Sequence, residues 1–520
     1  MSEGKRLTAG VSLVSGATLA SGLLNIALLM SLTRLLSKAE FGVISFSYML
    51  FGLISVVGAL GLPSALLFYT ARLSGERHRA LARHVTLLLL GLGLLLGCGL
   101  WLGGPHLLSE AQRESVGPLL PIIALALVGD LPGQTLPSYL LALERFGLSA
   151  LATLGFSVTR FVGLVLPATL GLGVEAMAWG LSAAALLRGG LMLGYAMWPH
   201  AQRSHEQEVT QEEVTQEEVT WSTRELLAYG LPLSMSAIVG KLNVQADKYL
   251  IAALTTAEVY AIYHVGAIEL PLVYGVAYSV TNALTPHLIT RYHEGDRVGF
   301  LSLWHTSVHK VASLIMPVAF YLMCFATEVI SLAFSERYID AALPFRVYLL
   351  LLPLRLCSYG AVVRATGVTR PVFTATLLSL VSNLLLNYPL YQILGVAGPA
   401  LSSVIAQLVA ITLLLKTLKG RLEVGWGEVF PFKRLIALLL TSALTALVGW
   451  GLTSTALSAL SLESRTLALT LGALLQLPLY FWLGLKSSLL SREDLSFVYG
   501  ALTLRRARAA LKRRLKGTTR

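Results

Sequence analysis

The sequence predicts an all-α, polytopic membrane protein of about fourteen transmembrane helices, and three observations predict it. Only 13% of the 520 residues are charged, against roughly 25% in an ordinary soluble domain. Hydrophobic residues make up 55% of the chain, with a mean hydropathy of +0.70. Apolar stretches of about 20 residues, the length that crosses a hydrocarbon core, recur along the whole chain. The two halves also resemble each other at a fixed offset. The expected architecture is two six-helix bundles related by a pseudo-two-fold axis along the membrane normal, followed by two additional helices.

In chain order, the first six stretches lie near residues 9–33, 42–69, 81–103, 117–142, 148–170 and 175–198. The next six lie near 225–252, 258–286, 302–327, 340–363, 371–393 and 395–417. The last two lie near 434–456 and 465–486. The stretch 340–363 is the weakest, because Arg346 and Arg355 interrupt it. The start, MSEGKRLTAG, leads into a span too long for a signal-peptide core, so no cleavable signal is expected.

Lys and Arg set the expected orientation. With the N-terminus inside, the inner connections carry Arg72, Arg77, Arg79, Arg83, Arg145, Arg203, Arg224, Arg291, Arg297, Arg364, Arg370, Lys416, Lys419, Arg421, Lys433 and Arg434. The outer ones carry little beyond Arg34, Lys38, Arg113, Arg337 and Arg465. With both ends included, the inner excess is about fivefold, which places both termini in the cytoplasm. The net charge of +12 is thereby a topology signal, and no nucleic-acid partner is expected. Cys98, Cys324 and Cys357 have no paired spacing and read as apolar core residues rather than redox or metal groups.

The halves align as LLSKAEFGVISFSY (35–48) with LTTAEVYAIYHVG (254–266), placing Glu40 on Glu258 at an offset of 218 residues. The same offset places Asn25 on Asn243. A repeat of six spans keeps its orientation, because six is even, and places a substrate site between the halves near mid-bilayer. The expected domains are an N-terminal bundle (1–199), an acidic cytoplasmic linker (200–224), a second bundle (225–420), two further helices (421–490) and a basic tail (491–520). The linker contains the tandem repeat EQEVTQEEVTQEEVT (206–220), a polar, low-complexity segment that reads as solvated chain. The tail interleaves Arg505, Arg506, Arg508, Lys512, Arg513, Arg514 and Lys516 with leucines. It is expected to lie on anionic lipid of the inner leaflet.

The seventh stretch, ELLAYGLPLSMSAIVGKLNVQADKYLIA (225–252), opens the second half and carries Lys241, Asp247 and Lys248. A charge at that depth costs at least ~2.5–3.5 kcal/mol unless it meets water, a partner or a substrate. Lys241, Gln245 and Lys248 share a helical face by their spacing, so that face should meet a cavity or a neighbouring helix.

Twelve repeated spans plus two, TRLLSKAEFG after the first span, GLP opening the seventh, and NLLLNYPLYQILGVAGPALSS (383–403) together resemble the bacterial polysaccharide-export flippases. These are the Wzx-type members of the multidrug/oligosaccharidyl-lipid/polysaccharide (MOP) superfamily. The resemblance covers most of residues 9–420 and rests on spaced Gly, Pro and Asn. It implies a V-shaped pair of bundles in the bacterial inner membrane and alternating access. It further implies translocation of undecaprenyl-diphosphate-linked oligosaccharide for lipopolysaccharide O-antigen or exopolysaccharide assembly. Coupling to a proton or sodium ion, and partnership with a polysaccharide polymerase and glycosyltransferases, come with that family.

Moving such a diphosphate through hydrocarbon needs a cationic path, and Arg suits phosphate best because its fork binds oxygens in pairs. The deep cations are Arg160, Arg188, Lys241, Arg346 and Arg355. The deep acids are Asp130 and Glu269, with Asp247 shallower. The balance is positive, as an anion carrier requires. Lys241, Arg160 and Arg188 are the leading substrate-binding candidates. Arg346 and Arg355 follow, because either would snorkel if the span ended earlier. Asp130, Glu269 and Asp247, with His264, are the candidates for a coupling ion. Each charge also has a structural reading as an interhelical pair, for instance Asp130 with Arg160 or Glu269 with an arginine. Asn25, Asn243, Asn383 and Asn387 read as interhelical hydrogen-bonding residues, and Pro63, Pro132, Pro137, Pro232 and Pro271 as kinks.

No phosphate loop, metal-ligand spacing or nucleophile elbow is present in the sequence, so the chain reads as no enzyme and needs no cofactor. The competing functions are an ion-coupled drug or metabolite antiporter and a flippase for the peptidoglycan-precursor lipid. The first should have a carboxylate-rich cavity, whereas the first span holds no acid. A polymerase would carry a long outer loop, and none is expected here.

Overall fold

The structure, a computed structural model, describes residues 3–73, 76–197, 221–460 and 464–502. The acidic repeat and the tail from residue 503 onward lie outside these residues. Every regular element among the described residues is a helix. Among the described residues eleven helices are long and apolar enough to cross a bilayer, so the chain is a multi-pass membrane protein. By spatial proximity it forms two units. One comprises residues up to Gln245 and Ile251–His264; the other comprises Ala246–Leu250 and the chain from Val265 onward.

The first unit contains α1 (Glu3–Leu35), α2 (Lys38–Gly58), α3 (Leu62–Thr70), α4 (Glu76–Leu107), α5 (Glu110–Ser115), α6 (Leu120–Gly133), α7 (Thr135–Ala142), α8 (Phe146–Thr169) and α9 (Gly173–Met197). Most of α10 (Thr223–Leu254) and of α11 (Ala257–Gly266) belongs to it as well. A capping box starts α2: Ser37 Oγ accepts from the Glu40 N–H and Glu40 accepts from the Ser37 N–H, which satisfies two otherwise orphaned donors. The stretch expected as one span over 42–69 stops at Gly61, where φ is +72° and Pro63 follows. A side chain at Gly61 would also run into the backbone of Gly230. A second capping box, Ser222 with Glu225, starts α10. In the centre of the unit α6 packs on α4 and α9, and α8 on α1 and α9. The α8–α9 crossing is close because Gly163 and Gly180 meet backbone to backbone.

The second unit contains α12 (Pro271–His293), α13 (Arg297–Cys324), α14 (Ala326–Phe334), α15 (Ala342–Leu349), α16 (Tyr359–Arg364), α17 (Arg370–Leu394), α18 (Ala397–Leu422), α19 (Trp426–Val429), α20 (Phe432–Ala459), α21 (Arg465–Lys486) and α22 (Arg492–Leu502). Two expected spans are interrupted here. The stretch 258–286 leaves the helix at 267–270, and Pro271 opens a new helix rather than kinking an old one. The stretch 340–363 is helical at the end of a 3-10 turn (Glu336–Ala341), at α15 and at α16, with a non-helical segment over 350–358. Pro353 and Arg355 lie in that segment; the first lacks an N–H and the second needs a polar partner. The α10 helix is continuous, and its charges keep it outside the eleven apolar spans.

Candidate functional site

A cavity of about 360 Å³ opens inside the first unit, lined by α2, α6, α7, α8 and α9. Its volume falls in the range of roughly 300–1,000 Å³ typical of ligand sites. Most of its wall is apolar, as the surrounding spans dictate. Three charged side chains reach it: Arg160 from α8, Arg188 from α9 and Asp130 from α6.

Asp130 is the hub. Its Oδ1 accepts from Arg188 Nη1 at 2.8 Å. Its Oδ2 accepts from Gln134 Nε2 at 2.9 Å and from the Ser55 hydroxyl. Gln134 also donates to Ser55 Oγ at 2.6 Å. Asp130 is 8% exposed, and an ionised carboxylate so placed is stable only when each oxygen is satisfied. The partner expected from sequence, Arg160, is not the one it takes. The α6–α9 packing brings Arg188 to Asp130, whereas Arg160 points along α8 toward α1 and α2.

Arg160 is held differently. Its Nη1 donates to the Tyr48 hydroxyl and its Nη2 to Asn25 Oδ1 at 3.2 Å. Arg188 lies over the Phe156 ring at 4.7 Å. Each guanidinium is therefore fixed along one edge, while the Nε of each is buried without a hydrogen-bond partner. Two cations and one carboxylate leave the lining one positive charge in excess. In a low-dielectric wall such an arrangement attracts an anion with several acceptor oxygens.

The other sequence candidates lie elsewhere. Lys241 is half-buried on α10 and is not among the residues lining this cavity. Asp247 is fully buried in the second unit, accepting from Tyr348 Oη at 2.6 Å and from the Lys248 N–H at 2.8 Å. The Lys248 ammonium sits 5.7 Å from the Tyr348 ring centre. Glu269 and Arg355, each in an unwound segment, form an ion pair at 3.0 Å. Arg346 donates to the Met323 carbonyl at 3.1 Å and to Thr327 at 3.2 Å, which ties it to the end of α13. His264 Nδ1 meets the Tyr260 hydroxyl at 3.2 Å. Asn383 bonds with Ser402 and Ser403 of the next helix.

Sequence reasoning missed Ser55, Gln134, Tyr48 and Thr153 of the cavity wall. Ser, Thr and Gln on apolar helices are too common to stand out. Gln134 carried one usable signal: it sits one turn beyond Asp130.

Solved structures share this fold. The lipid II flippase MurJ in an inward closed conformation aligns with a TM-score of 0.66 and 16% identity, over 91% of this chain and 99% of that one. An inward-facing multidrug-resistance MATE family transporter of the MOP superfamily aligns with a TM-score of 0.58 and 18% identity, over 78% and 94%. A MOP superfamily transporter from Pyrococcus furiosus aligns with a TM-score of 0.52 and 16% identity, over 81% and 96%. No curated protein matches the chain. Residues 31–343, more than half of the chain, match the family model described as polysaccharide biosynthesis protein, and the chain belongs to that family.

Proposed function

We propose that this protein flips undecaprenyl-diphosphate-linked oligosaccharide from the cytoplasmic to the periplasmic leaflet of the bacterial inner membrane, for surface polysaccharide assembly. The observation that carries the reading is the pair Arg160 and Arg188 in one intramembrane cavity, each with a buried, unpartnered Nε. The diphosphate is the part of the substrate least compatible with hydrocarbon. Two guanidiniums supply the charge-assisted donors it loses on leaving water. Asp130, Ser55 and Gln134 position Arg188, and Tyr48 and Asn25 position Arg160. The polyprenyl chain stays in lipid while the head passes by alternating access, with both termini cytoplasmic. Lys241, Arg346 and Arg355 extend the cationic path. Asp130, Glu269 and Asp247 are the proposed groups for a coupling proton or sodium ion; Asp130 also holds Arg188.

The peptidoglycan-precursor lipid is the second reading, since the lipid II flippase MurJ has this fold and such a head carries the same diphosphate. A drug antiporter is disfavoured by a cavity whose one carboxylate is already engaged. The deciding experiment locates lipid-linked glycan by leaflet in cells lacking the protein. Accumulation on the cytoplasmic face, relieved by the wild-type gene and not by Arg160→Gln/Arg188→Gln, is the expected result. Normal polysaccharide with blocked cell-wall synthesis would favour the second reading. Normal distribution of both lipids would sink the flippase reading.

A further inference from the structure

At one end of the first unit, where α4 begins and α7 and α9 finish, basic and aromatic side chains converge. His78 Nδ1 and the Tyr139 hydroxyl are 2.8 Å apart. Arg145, just ahead of α8, donates to the Tyr195 hydroxyl at 2.6 Å. The Tyr139 and Tyr195 rings meet edge to face at 5.9 Å. Arg79 and Arg145 both lie close enough to act electrostatically on His78 and on Tyr139. Among the described residues no carboxylate pairs with Arg79 or Arg145. Glu144, next to Arg145 in the chain, is exposed.

Arginines collect at one membrane face simply to set orientation, and that alone makes no site. This cluster goes further. An orientation signal needs only charge near the interface, whereas here two of the basic side chains bond to tyrosines, one of them in the core. Tyr139 is 2% exposed and sits in the core with Leu81, Val85, Leu140 and Met192. The turn that delivers Arg145 places Glu144 at φ +54°, a left-handed conformation that costs a non-glycine residue energy. The result is a cluster in which the half-buried Arg79 and the exposed Arg145 present guanidiniums beside the half-buried His78 imidazole, with Tyr139 and Tyr195 bonded to His78 and Arg145. That donor set matches phosphate oxygens. Its position at the terminal turns of four candidate spans is the depth of lipid headgroups, where tyrosine and basic side chains together favour anionic lipid.

We propose that His78, Arg79 and Arg145, with Tyr139 positioning His78, form a second anion site, separate from the intramembrane cavity, that binds the phosphate of an anionic lipid headgroup. The site anchors this end of the first unit to the surrounding leaflet. It is independent of the transported substrate, because Arg160 and Arg188 take no part in it.

The test uses the purified full-length protein in neutral detergent and follows its thermal unfolding midpoint. Dioleoyl phosphatidate, dioleoyl phosphatidylcholine and inorganic phosphate are titrated in turn into the wild type, Arg79→Gln/Arg145→Gln, and the control Arg113→Gln. Phosphatidate should raise the midpoint of the wild type and the control, with phosphatidylcholine and inorganic phosphate inert at the same concentrations. The double variant should need at least about tenfold more phosphatidate for the same rise, since charge-assisted hydrogen bonds are being removed. An equal response in wild type and double variant overturns the site. An equal response to inorganic phosphate, lost in the same variant, overturns the lipid assignment in favour of a soluble anion. Should the glutamine pair not fold, Arg79→Lys/Arg145→Lys keeps the charge and loses the fork; a weaker response than wild type supports the proposal, and an unchanged one overturns it.

Discussion

Tyr480 donates its hydroxyl hydrogen to the Ser313 carbonyl at 3.2 Å, across from α21 to α13. That carbonyl lacks its usual helical partner because the residue four positions on is Pro317, which has no N–H. One turn along, Gln476 donates to the carbonyl of Pro317 itself at 2.9 Å. Tyr480 and Gln476 are both fully buried. The two-helix addition at the end of the chain thus supplies the hydrogen bond that a proline removed from α13, in a solvent that supplies none, and adds a second at the proline's own carbonyl.

The first prediction is a mutant cycle on that relationship. Tyr480→Phe should destabilise the protein by about 1–3 kcal/mol, the cost of an unmet buried acceptor. In a Pro317→Ala background the restored N–H satisfies Ser313, so the same change should cost clearly less. Thermal unfolding of the four proteins in detergent measures the coupling, and purely additive effects would refute the assignment.

The second prediction concerns the cavity. Arg188→Gln leaves the buried Asp130 carboxylate without its cation and should cost about 1–3 kcal/mol or more, together with most of the transport. Asp130→Asn makes the cavity more positive and keeps hydrogen-bonding capacity, so transport should fall less. Flux in proteoliposomes ranks the two. If Asp130→Asn abolishes flux while Arg188→Gln preserves it, Asp130 does more than position its arginine.

The spans and the deep arginines were legible in the sequence because long apolar runs and lone charges within them are strong signals. The interruptions were legible only in part. Arg346 and Arg355 marked 340–363 as weak, and the structure places a non-helical segment there. In 258–286 Glu269 and Pro271 were local marks of the break, read as a deep charge and a kink; that Glu269 pairs with Arg355, 86 positions later, was not legible. Partner choice was not legible either: Asp130 faces Arg188 rather than Arg160 because α6 packs on α9, a fact of tertiary contact. The repeat residue Asn25 was read as a hydrogen-bonding group between helices and does bond across to α8, with Arg160 as its partner.

A third prediction follows from the pair Glu269–Arg355, whose side chains are 31% and 17% exposed. Loss of either partner removes this ion pair from beside unwound backbone. Arg355→Leu and Glu269→Leu should each lower stability by about 1–3 kcal/mol, and the double variant by less than their sum. Unfolding midpoints of the three variants against wild type read this directly; a double variant as unstable as the summed singles would show that the pair is not energetically coupled.

The last prediction is a pH dependence outside the spans. Asp296 caps α13, accepting from the Gly299 N–H at 2.8 Å and from Arg291. The Gly299 N–H first, and Arg291 second, hold its carboxyl below the ordinary carboxylate value. A carboxyl depressed in the folded state binds its proton more weakly there than when unfolded. Its contribution to stability is therefore fully present above the unfolded value, roughly pH 4, and disappears as pH falls through the lower folded value. Asp296→Asn should narrow its gap to wild type as the medium is acidified from pH 6 to below pH 3. The measurement is the unfolding midpoint of both proteins across that range, at low and high salt. Because the leading contribution is a hydrogen bond rather than long-range charge, salt should change the gap little. A gap that stays constant with pH would show that Asp296 is not bonded in its ionised form.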